Sequence, residues 1–252
     1  LLVVATFTAP LRSKVWVAFS AIAIATVATA IPSIGVLAGA PPITIMEGIA
    51  SPLGDGSLSI DALSALFLLI IGIAGMATLL YSRGYIASYL DKKSAAHISM
   101  HYTALALLVL SMMMVVVADG SFLFLFAWEL MTIASFLLIL FDAERSEVMR
   151  AALAYLVMMH IGFIFLVAGF AGLHNICGNS SFASLAQCFA EGKNLFIFIL
   201  LLLGFGMKAG LFPMHVWLPE AHPAAPSHIS AIMSGVMIKT GVYGVMRVVS
   251  YM

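Results

Sequence analysis

Three ionisable residues lie deep inside long apolar stretches of the sequence: Glu129, Lys208 and Lys239. At about 1.5 Å per residue, Glu129 lies ~12 Å into its predicted helix, Lys239 lies ~18 Å into its own, and Lys208 precedes Pro213 by about one turn. An ionised group at the centre of a bilayer costs roughly 2.5–3.5 kcal/mol on insertion scales. Two lysines and one acid cannot form a static, fully paired bridge, so the set favours a switchable role.

Proton transfer is the chemistry that such a set favours. A buried lysine is driven to lose its proton by desolvation and to regain it when a carboxylate approaches, so it can load and release a proton as its partner moves. His215, His222 and His228 cluster around Pro213, and an unperturbed pKa near 6.5 suits histidine to a relay. Two alternatives stay open: a structural ion pair for the charged residues, and water-exposed loop positions for the histidines.

The composition indicates a membrane protein. Hydrophobic residues make up 63% of the chain, charged residues 9%, and the mean hydropathy is +1.14, whereas a soluble domain carries roughly a quarter charged residues. The formal net charge is zero, which gives no electrostatic basis for binding nucleic acid. We therefore expect a lipid bilayer around the chain and no nucleic-acid partner.

The hydropathy pattern predicts an all-α, polytopic bundle in one transmembrane domain that covers residues 1–252. A membrane helix needs about 20 largely apolar residues, and residues 1–9 have the composition of the end of an additional helix. The chain starts without Met and stops after an apolar stretch, which we interpret as a fragment of a longer protein. Seven stretches are predicted to be full spans: 15–37, 60–82, 100–118, 121–141, 150–173, 195–212 and 227–250.

Positive charge alternates between the loops and predicts their sidedness. Cytoplasmic loops carry the excess of Lys and Arg, so we expect a prokaryotic plasma membrane protein with three basic loops inside. The opposite side then carries Cys177 and Cys188, as free thiols or as one disulfide, without the spacing of a metal site. The residues predicted to be cytoplasmic are Arg12, Lys14, Arg83, Lys92, Lys93, Arg145 and Arg150.

A proline-rich segment, residues 212–227, joins the last two predicted spans. Pro213 removes a helical N–H and clashes with the preceding turn, so the helix that begins near residue 195 should break there. Broken helices at membrane depth are tolerated where they line a cavity or are buried in protein. We therefore expect two half-helices that meet at Pro213, close to Lys208.

The sequence resembles the proton-conducting, antiporter-like membrane subunits of respiratory complex I, of multisubunit cation/proton antiporters and of group 4 nickel–iron hydrogenases. Within that family its motif sequences are most similar to those of the large membrane subunit of hydrogenase-4 and formate hydrogenlyase type complexes. The motifs that carry the resemblance are GMKAGLFP at 206–213, HVWLPEAHPAAPS at 215–227, KTGVYG at 239–244, FAWELM at 126–131, SFLL at 135–138 and DALSALF at 61–67.

The resemblance implies a fold and a set of roles. It implies two inverted five-helix repeats in a chain of about 14 helices, of which residues 100–250 would be the first repeat. It also implies that Glu129 pairs with Lys208 on the broken helix and that Lys239 passes the proton on, with His222 and His228 at the inner entrance. Some complex I chains carry an acidic residue three positions after the site of His160; here that position is Phe163, which argues against a conducting role for that helix.

The implied function is proton translocation in a redox-driven complex of the group 4 hydrogenase or NADH-quinone oxidoreductase type. We expect no cofactor and no metal in this chain, because His101 and His160 lie at different depths and give little support for a haem site. The expected partners are the other membrane and peripheral subunits of such a complex, which would hold the redox centres. Two alternatives are a Na+/H+ antiporter subunit without a redox partner and a structural membrane anchor that conducts no ion.

Overall fold

A computed structural model of the chain describes residues 9–10, 13–49, 56–178, 181–182, 184–190 and 195–251. Six of the helices in these ranges are long and apolar enough to cross a membrane, counting Ser227–Ser250 as one span. The helices are α1 (Lys14–Leu37), α2 (Ala62–Ala87), α3 (Ala95–Val117), α4 (Ser121–Ile139), α5 (Ser146–Cys177), α6 (Ser184–Ala190), α7 (Leu195–Ala209), α8 (Leu218–Ala224), α9 (Ser227–Ile232) and α10 (Ile238–Ser250).

The predicted spans all correspond to helices, so the all-α, polytopic fold class is confirmed. The stretch predicted at 195–212 is the exception in length, because α7 has 15 residues and falls short of a full span. Residues 1–8 and Arg12 lie outside the described residues. The predicted additional helix at 1–9 therefore stays a prediction, as does the assignment of 100–250 to one repeat.

A β-hairpin, which the sequence analysis did not predict, follows α1. Strands β1 (Ile43–Ile49) and β2 (Gly56–Ile60) pair antiparallel, with Ile43 opposite Ile60. The three consecutive β-branched residues that begin β1, Ile43, Thr44 and Ile45, favour an extended strand. The hairpin lies at one end of the bundle, called the hairpin end below.

Helix α7 ends at Gly210 and not at Pro213. Gly210 has φ +67°, and its N–H contacts the carbonyl of Met207 at 3.4 Å while the N–H of Leu211 donates to the carbonyl of Gly206 at 3.0 Å. This is the Schellman motif, in which a left-handed glycine satisfies the last carbonyls of a helix. The predicted break is present, and Pro213 lies inside the non-helical segment 210–217, but glycine terminates the helix three residues earlier.

The second half of the broken segment folds back onto α5. Helix α8 packs against α5, and α7 packs against both α5 and α10. The approach of α10 to α7 is very close, because a Cβ atom at Gly241 would lie 2.5 Å from the backbone nitrogen of Ala209. Lys208 is therefore enclosed by helices on the side of Gly241.

The loops opposite the hairpin form the end of the bundle called the basic end below, residues 88–94 and 143–145. Nζ of Lys93 lies 3.2 Å from Asp142 and 2.7 Å from Glu144, which ties the two loops together. Burial would lower the pKa of Lys93, but hydrogen bonds to these two carboxylates outweigh it and raise the pKa. Which end faces the cytoplasm stays a prediction.

A partly buried ion pair lies at the hairpin end. Asp61 caps α2 by accepting from the N–H of Ser64 at 2.9 Å, and the guanidinium of Arg247 on α10 forks onto its carboxylate, with Nη2 2.8 Å from Oδ1. Burial would raise the pKa of Asp61, but the Arg247 and Ser64 hydrogen bonds together lower it. The pair joins the start of α2 to the end of α10.

Candidate functional site

Lys208 is buried at the end of α7, with 1% of the residue exposed. Its ammonium Nζ donates to Oγ1 of Thr132 at 2.8 Å and lies 4.8 Å from the ring centroid of Trp128. Both partners belong to α4, on the two turns that flank Glu129. The lysine is thus held by a hydroxyl and an aromatic face, which are weaker counterparts for a buried cation than a carboxylate.

Glu129 lies at the middle of α4 and contacts α5 instead of α7. Its Oε1 is 3.0 Å from Nε2 of His160. Both carboxylate oxygens are buried, and neither accepts a hydrogen bond from the described residues. An unpartnered buried carboxylate is costly and is rarely kept without a use.

The tautomer of His160 follows from its other nitrogen. Nδ1 lies 2.9 Å from the backbone carbonyl of Leu156, and a carbonyl can only accept, so Nδ1 carries a proton. Nε2 of the neutral ring would then be bare and would face a carboxylate oxygen with its own lone pair. The contact with Glu129 is favourable only when a further proton sits on Nε2 or on the carboxyl group.

The direct ion pair expected between Glu129 and Lys208 is therefore absent from the described residues. The two groups lie on facing helices, and the negative charge of Glu129 acts on the ammonium, but no contact within 4.0 Å joins them. His160, 48% exposed on the outer face of α5, lies against Glu129 instead. Phe163 had argued against a conducting role for this helix, and the residue spacing along α5 did not indicate that His160 contacts Glu129.

A string of hydroxyl groups, also missed by sequence reasoning, runs from Lys208 toward the basic end. Thr132 accepts from Lys208, and its backbone carbonyl accepts from Oγ of Ser135 at 2.9 Å. The Ser135 hydroxyl then meets Oη of Tyr155 at 2.5 Å. All three side chains are fully buried. A serine, a threonine and a tyrosine in apolar helices are common, so only their meeting in space distinguishes them.

Lys239 is exposed on the surface of the described chain, which corrects its predicted burial. It follows a π-helical turn, Met233–Met237, and its Nζ donates to the carbonyl of Ser234 in that turn. A π turn shifts the hydrogen-bond register and often occurs at functional sites. Depth along the helix was predicted correctly, but the direction in which the residue faces was not, because counting residues does not fix how the helix is rotated against its neighbours.

The three predicted relay histidines are not brought into one cluster. Nδ1 of His222 contacts Oγ of Ser230 at 3.2 Å. His228 pairs instead with His101 of α3, with their Nε2 atoms 3.0 Å apart. His215 is half-buried beside Phe212, and its Nδ1 is buried without a partner among the described residues.

No metal site is evident in the part of the chain that the structure describes. Its His, Cys, Asp and Glu side chains form no group of three or more that could hold a metal ion. The side chains of Cys177 and Cys188 lie outside the described residues, as do Asp55, Glu191 and Lys193. The state of the two cysteines therefore stays a prediction.

The broken helix with its buried lysine and the helix that carries Glu129 lie within the region that matches a known family. Residues 118–252 match the transmembrane family described as NADH:quinone oxidoreductase/Mrp antiporter. The chain belongs to this family. The predicted family is confirmed, and this NADH:quinone oxidoreductase/Mrp antiporter chain is a multi-span membrane protein.

Relatives of this antiporter-family chain are considerably longer than it is. Hydrogenase-4 component B of Escherichia coli is 34% identical over 209 residues, which are 82% of this chain and 30% of that protein. An uncharacterized protein of Mycobacterium tuberculosis is 37% identical over 216 residues, 85% of this chain and 32% of that protein. The chain spans about a third of the length of these relatives.

Two solved structures share the fold of this antiporter-family chain. A chain of the membrane-bound sulfane sulfur reductase, an archaeal respiratory membrane complex, has a TM-score of 0.70 at 27% identity, with 92% of this chain and 37% of that chain covered. A chain of the Mrp complex from Dietzia sp. DQ12-45-1b has a TM-score of 0.81 at 19% identity, with 97% and 44% covered. The predicted antiporter-like bundle is thereby confirmed at the level of fold.

Proposed function

We propose that the chain is the proton-translocating part of a membrane subunit in a redox-driven complex of the group 4 hydrogenase or NADH-quinone oxidoreductase type. One observation carries this proposal: the ammonium of Lys208 is buried without a carboxylate within 4.0 Å, while the buried carboxylate of Glu129 lacks a hydrogen-bond donor among the described residues. A static structural pair would bring the two together. Their separation suits groups that exchange a proton as the helices move.

The proposed path has a middle, an entrance and an outlet. Protons reach Lys208 from the basic end along Tyr155, Ser135 and Thr132, whose hydroxyl and carbonyl groups contact one another in sequence. Hydroxyl groups both donate and accept, so Tyr155 and Ser135 can relay a proton without ionising; a carbonyl only accepts, so the step from Ser135 to the Thr132 hydroxyl needs a bridging water molecule. Glu129 shares a proton with His160, and the negative charge that remains on Glu129 acts on the ammonium of Lys208.

The remaining predicted residues are assigned to the two ends of the path. His215, His222 and His228 belong to the segment around the helix break, at the basic end, where we propose that protons enter. Lys239, exposed at mid-helix, would pass the proton beyond the described helices. An ammonium exposed to hydrocarbon is costly, so we propose that further protein covers it in the membrane.

The partners are proposed from the relatives. Hydrogenase-4 component B and the sulfane sulfur reductase belong by name to redox systems, so we propose that electron carriers and metal centres lie in partner subunits and that this chain holds no cofactor. We further propose that the basic end faces the cytoplasm of a prokaryote, with Lys93 and Arg145 in its loops. Co-purification with hydrogenase or dehydrogenase subunits would support this function, and purification of the full-length subunit without them would count against it.

A Na+/H+ antiporter subunit without a redox partner is the second candidate, because the family includes Mrp antiporters and the fold matches a chain of an Mrp complex. Sodium-dependent proton movement without an electron donor distinguishes it. The redox-coupled function predicts proton movement that requires the donor and is indifferent to sodium.

The deciding experiment replaces Lys208 by Met in the full-length subunit within its complex and measures proton pumping beside electron transfer. We expect pumping to fall by roughly tenfold or more, because the buried ammonium that loads and releases the proton is lost. Lys92→Met, at the exposed edge of the basic end, is the matched control and should pump as wild type. An intact complex in which Lys208→Met keeps its pumping stoichiometry would overturn the proposal and leave a non-conducting anchor.

A further inference from the structure

Two histidines from helices far apart in the sequence form a buried pair at the basic end. His101 of α3 and His228 of α9 are 2% and 3% exposed. Their Nε2 atoms are 3.0 Å apart, with the rings 5.1 Å apart between centroids in an edge-to-face arrangement. The sequence analysis placed His228 at the entrance by resemblance and gave His101 no role.

The proton count of this pair follows from its geometry. Two imidazole nitrogens at hydrogen-bond distance need one proton between them, since two bare nitrogens or two N–H groups would repel. Each ring's Nδ1 is buried without a partner among the described residues. When both rings are neutral, one of these Nδ1 atoms therefore carries a proton that no acceptor receives, and the other can accept a proton that no donor supplies. The resting pair is poised to take up or release a proton.

Among the described residues no carboxylate contacts either ring, and the nearby Asp142 is paired with Lys93 at 3.2 Å. The titratable groups around the pair are Tyr81 and Tyr85 on α2, which contact His228, and Tyr102 and His97 on α3, which act on His101. None of the hydrogen bonds or ion pairs of the described residues brings an acid to either ring. A permanent imidazolium would be unpaired and buried at high cost, so the positive charge can only be transient.

A cavity connects the pair with the outside of the described bundle. His228 lines a space of about 440 Å³ between α2 and α9, together with Thr78, Tyr81 and Ser227. The lining is mostly apolar, but the hydroxyl groups of Thr78, Tyr81 and Ser227 offer a water molecule partners beside His228. His228 therefore lies on the cavity side of the pair, whereas His101 lies behind it, against Phe141 and Tyr102.

We propose that His101 and His228 act as one proton-sharing unit that takes up protons at the basic end, which rests on the proposed function and adds His101 to its path. A proton arriving on the bare Nδ1 of His228 displaces the shared proton onto Nε2 of His101. His101 then releases its Nδ1 proton inward, so one proton enters and one leaves. Exchange of the two tautomers resets the pair.

The first test uses His101→Gln, His228→Gln and their double variant in the full-length subunit within its complex. Gln preserves a hydrogen bond but cannot exchange protons, so we expect pumping to fall by roughly tenfold in each single variant. The double variant should pump no less than either single variant, because the two residues act as a unit. His97→Gln is the matched control: it lies one turn away against the same Phe141, but its Nε2 contacts a backbone carbonyl at 2.9 Å.

The outcomes separate this inference from the proposed function. If Lys208→Met abolishes pumping and both histidine variants pump as wild type, the histidine unit is overturned and the proposed function stands. If Lys208→Met also pumps as wild type, both are overturned. A loss with His97→Gln equal to that with His101→Gln would contradict a special role for the pair.

A second measurement does not depend on pumping or on a variant that folds. Nuclear magnetic resonance of the wild-type subunit labelled with nitrogen-15 histidine should show one N–H···N coupling between two imidazoles, with the rings in complementary tautomers. Two uncoupled rings in the same tautomer would overturn the shared proton, whatever the pumping assays show.

Discussion

Nε2 of His160 lies 3.0 Å from Oε1 of Glu129, while Nζ of Lys208 lies 2.8 Å from Thr132. The acid of α4 thus belongs to a contact with α5, and the lysine of α7 to a hydroxyl one turn along α4. Glu129 and Lys208 therefore belong to two separate, neighbouring contacts. A shift of either helix could exchange their partners.

We expect Glu129→Gln and His160→Gln each to lower proton pumping by roughly tenfold, with the double variant no worse than the single ones. The reason is that each member of the pair is useful only while the other can hold the shared proton. His174→Gln, on the same helix α5 but 14 residues further along, is the control. Additive losses in the double variant would show that the two residues act separately.

Gly210→Ala should destabilise the protein. A side chain at φ +67° costs roughly 1–2 kcal/mol, and its Cβ would lie 2.5 Å from Cδ1 of Leu218. We expect a lower unfolding temperature in detergent and weaker pumping, because the end of α7 positions Lys208. Gly84→Ala, in the open interior of α2, should have no such effect and should raise stability by up to about 1 kcal/mol.

Gly241→Ala tests the close approach of α10 to α7. The new Cβ would lie 2.5 Å from the nitrogen of Ala209 and 2.8 Å from the carbonyl oxygen of Phe205, both backbone atoms that cannot move aside. We expect a loss of roughly 1–3 kcal/mol in stability and impaired pumping, measured by thermal unfolding and proton uptake. Gly235→Ala meets nothing within 4 Å; an equal effect there would rule out this packing explanation.

The hairpin end should show a pH dependence that originates from Asp61. Its pKa lies below the ordinary 3.8, so it contributes stability that is present above that value and lost as the pH falls through the folded pKa. Between about pH 6 and about pH 3, the unfolding temperature of Asp61→Asn should therefore fall less than that of the wild type. The variant should also be less stable at every pH, because the contact with Arg247 is broken.

Asp119, at the same end of the bundle, should contribute a pH dependence of stability with the opposite sign. Burial, with the charge of Asp61 adding to it, raises the pKa of Asp119 above 3.8 in spite of the hydrogen bond from Ser57. A raised pKa makes the folded state bind the proton more tightly, so this residue lowers stability as the pH rises through the folded value. Asp119→Asn should then be tolerated near neutral pH; a loss as large as that of Asp61→Asn would contradict the assignment.

Hydropathy and local chemistry predicted much of the fold. Each predicted span became a helix because an uninterrupted apolar run can satisfy its backbone only as a helix in lipid. The segment around Pro213 was predicted to break, and it does. The position of the break was decided by Gly210, since a left-handed glycine ends a helix with its carbonyls satisfied and needs no proline.

The site was predicted only in part, and the reason is geometric. Glu129, Lys208 and Lys239 could be found because a charge in an apolar run is conspicuous in any sequence. His101, His160 and Tyr155 could not, since one histidine or tyrosine in a helix says nothing about what faces it. Lys239 was misjudged for the same reason: depth follows from residue counting, but the face depends on how the helix is rotated.

By itself, the sequence determined which segments are long and apolar enough to cross a membrane, which of them is broken and which charges lie deep within them. Only the tertiary structure decided the partners, joining Lys208 to Thr132 across 76 residues and His101 to His228 across 127. The physical reason is that hydrophobicity acts along each helix without direction. Hydrogen bonds and ion pairs act over about 3 Å, so they depend on the rotation and depth at which packed helices meet.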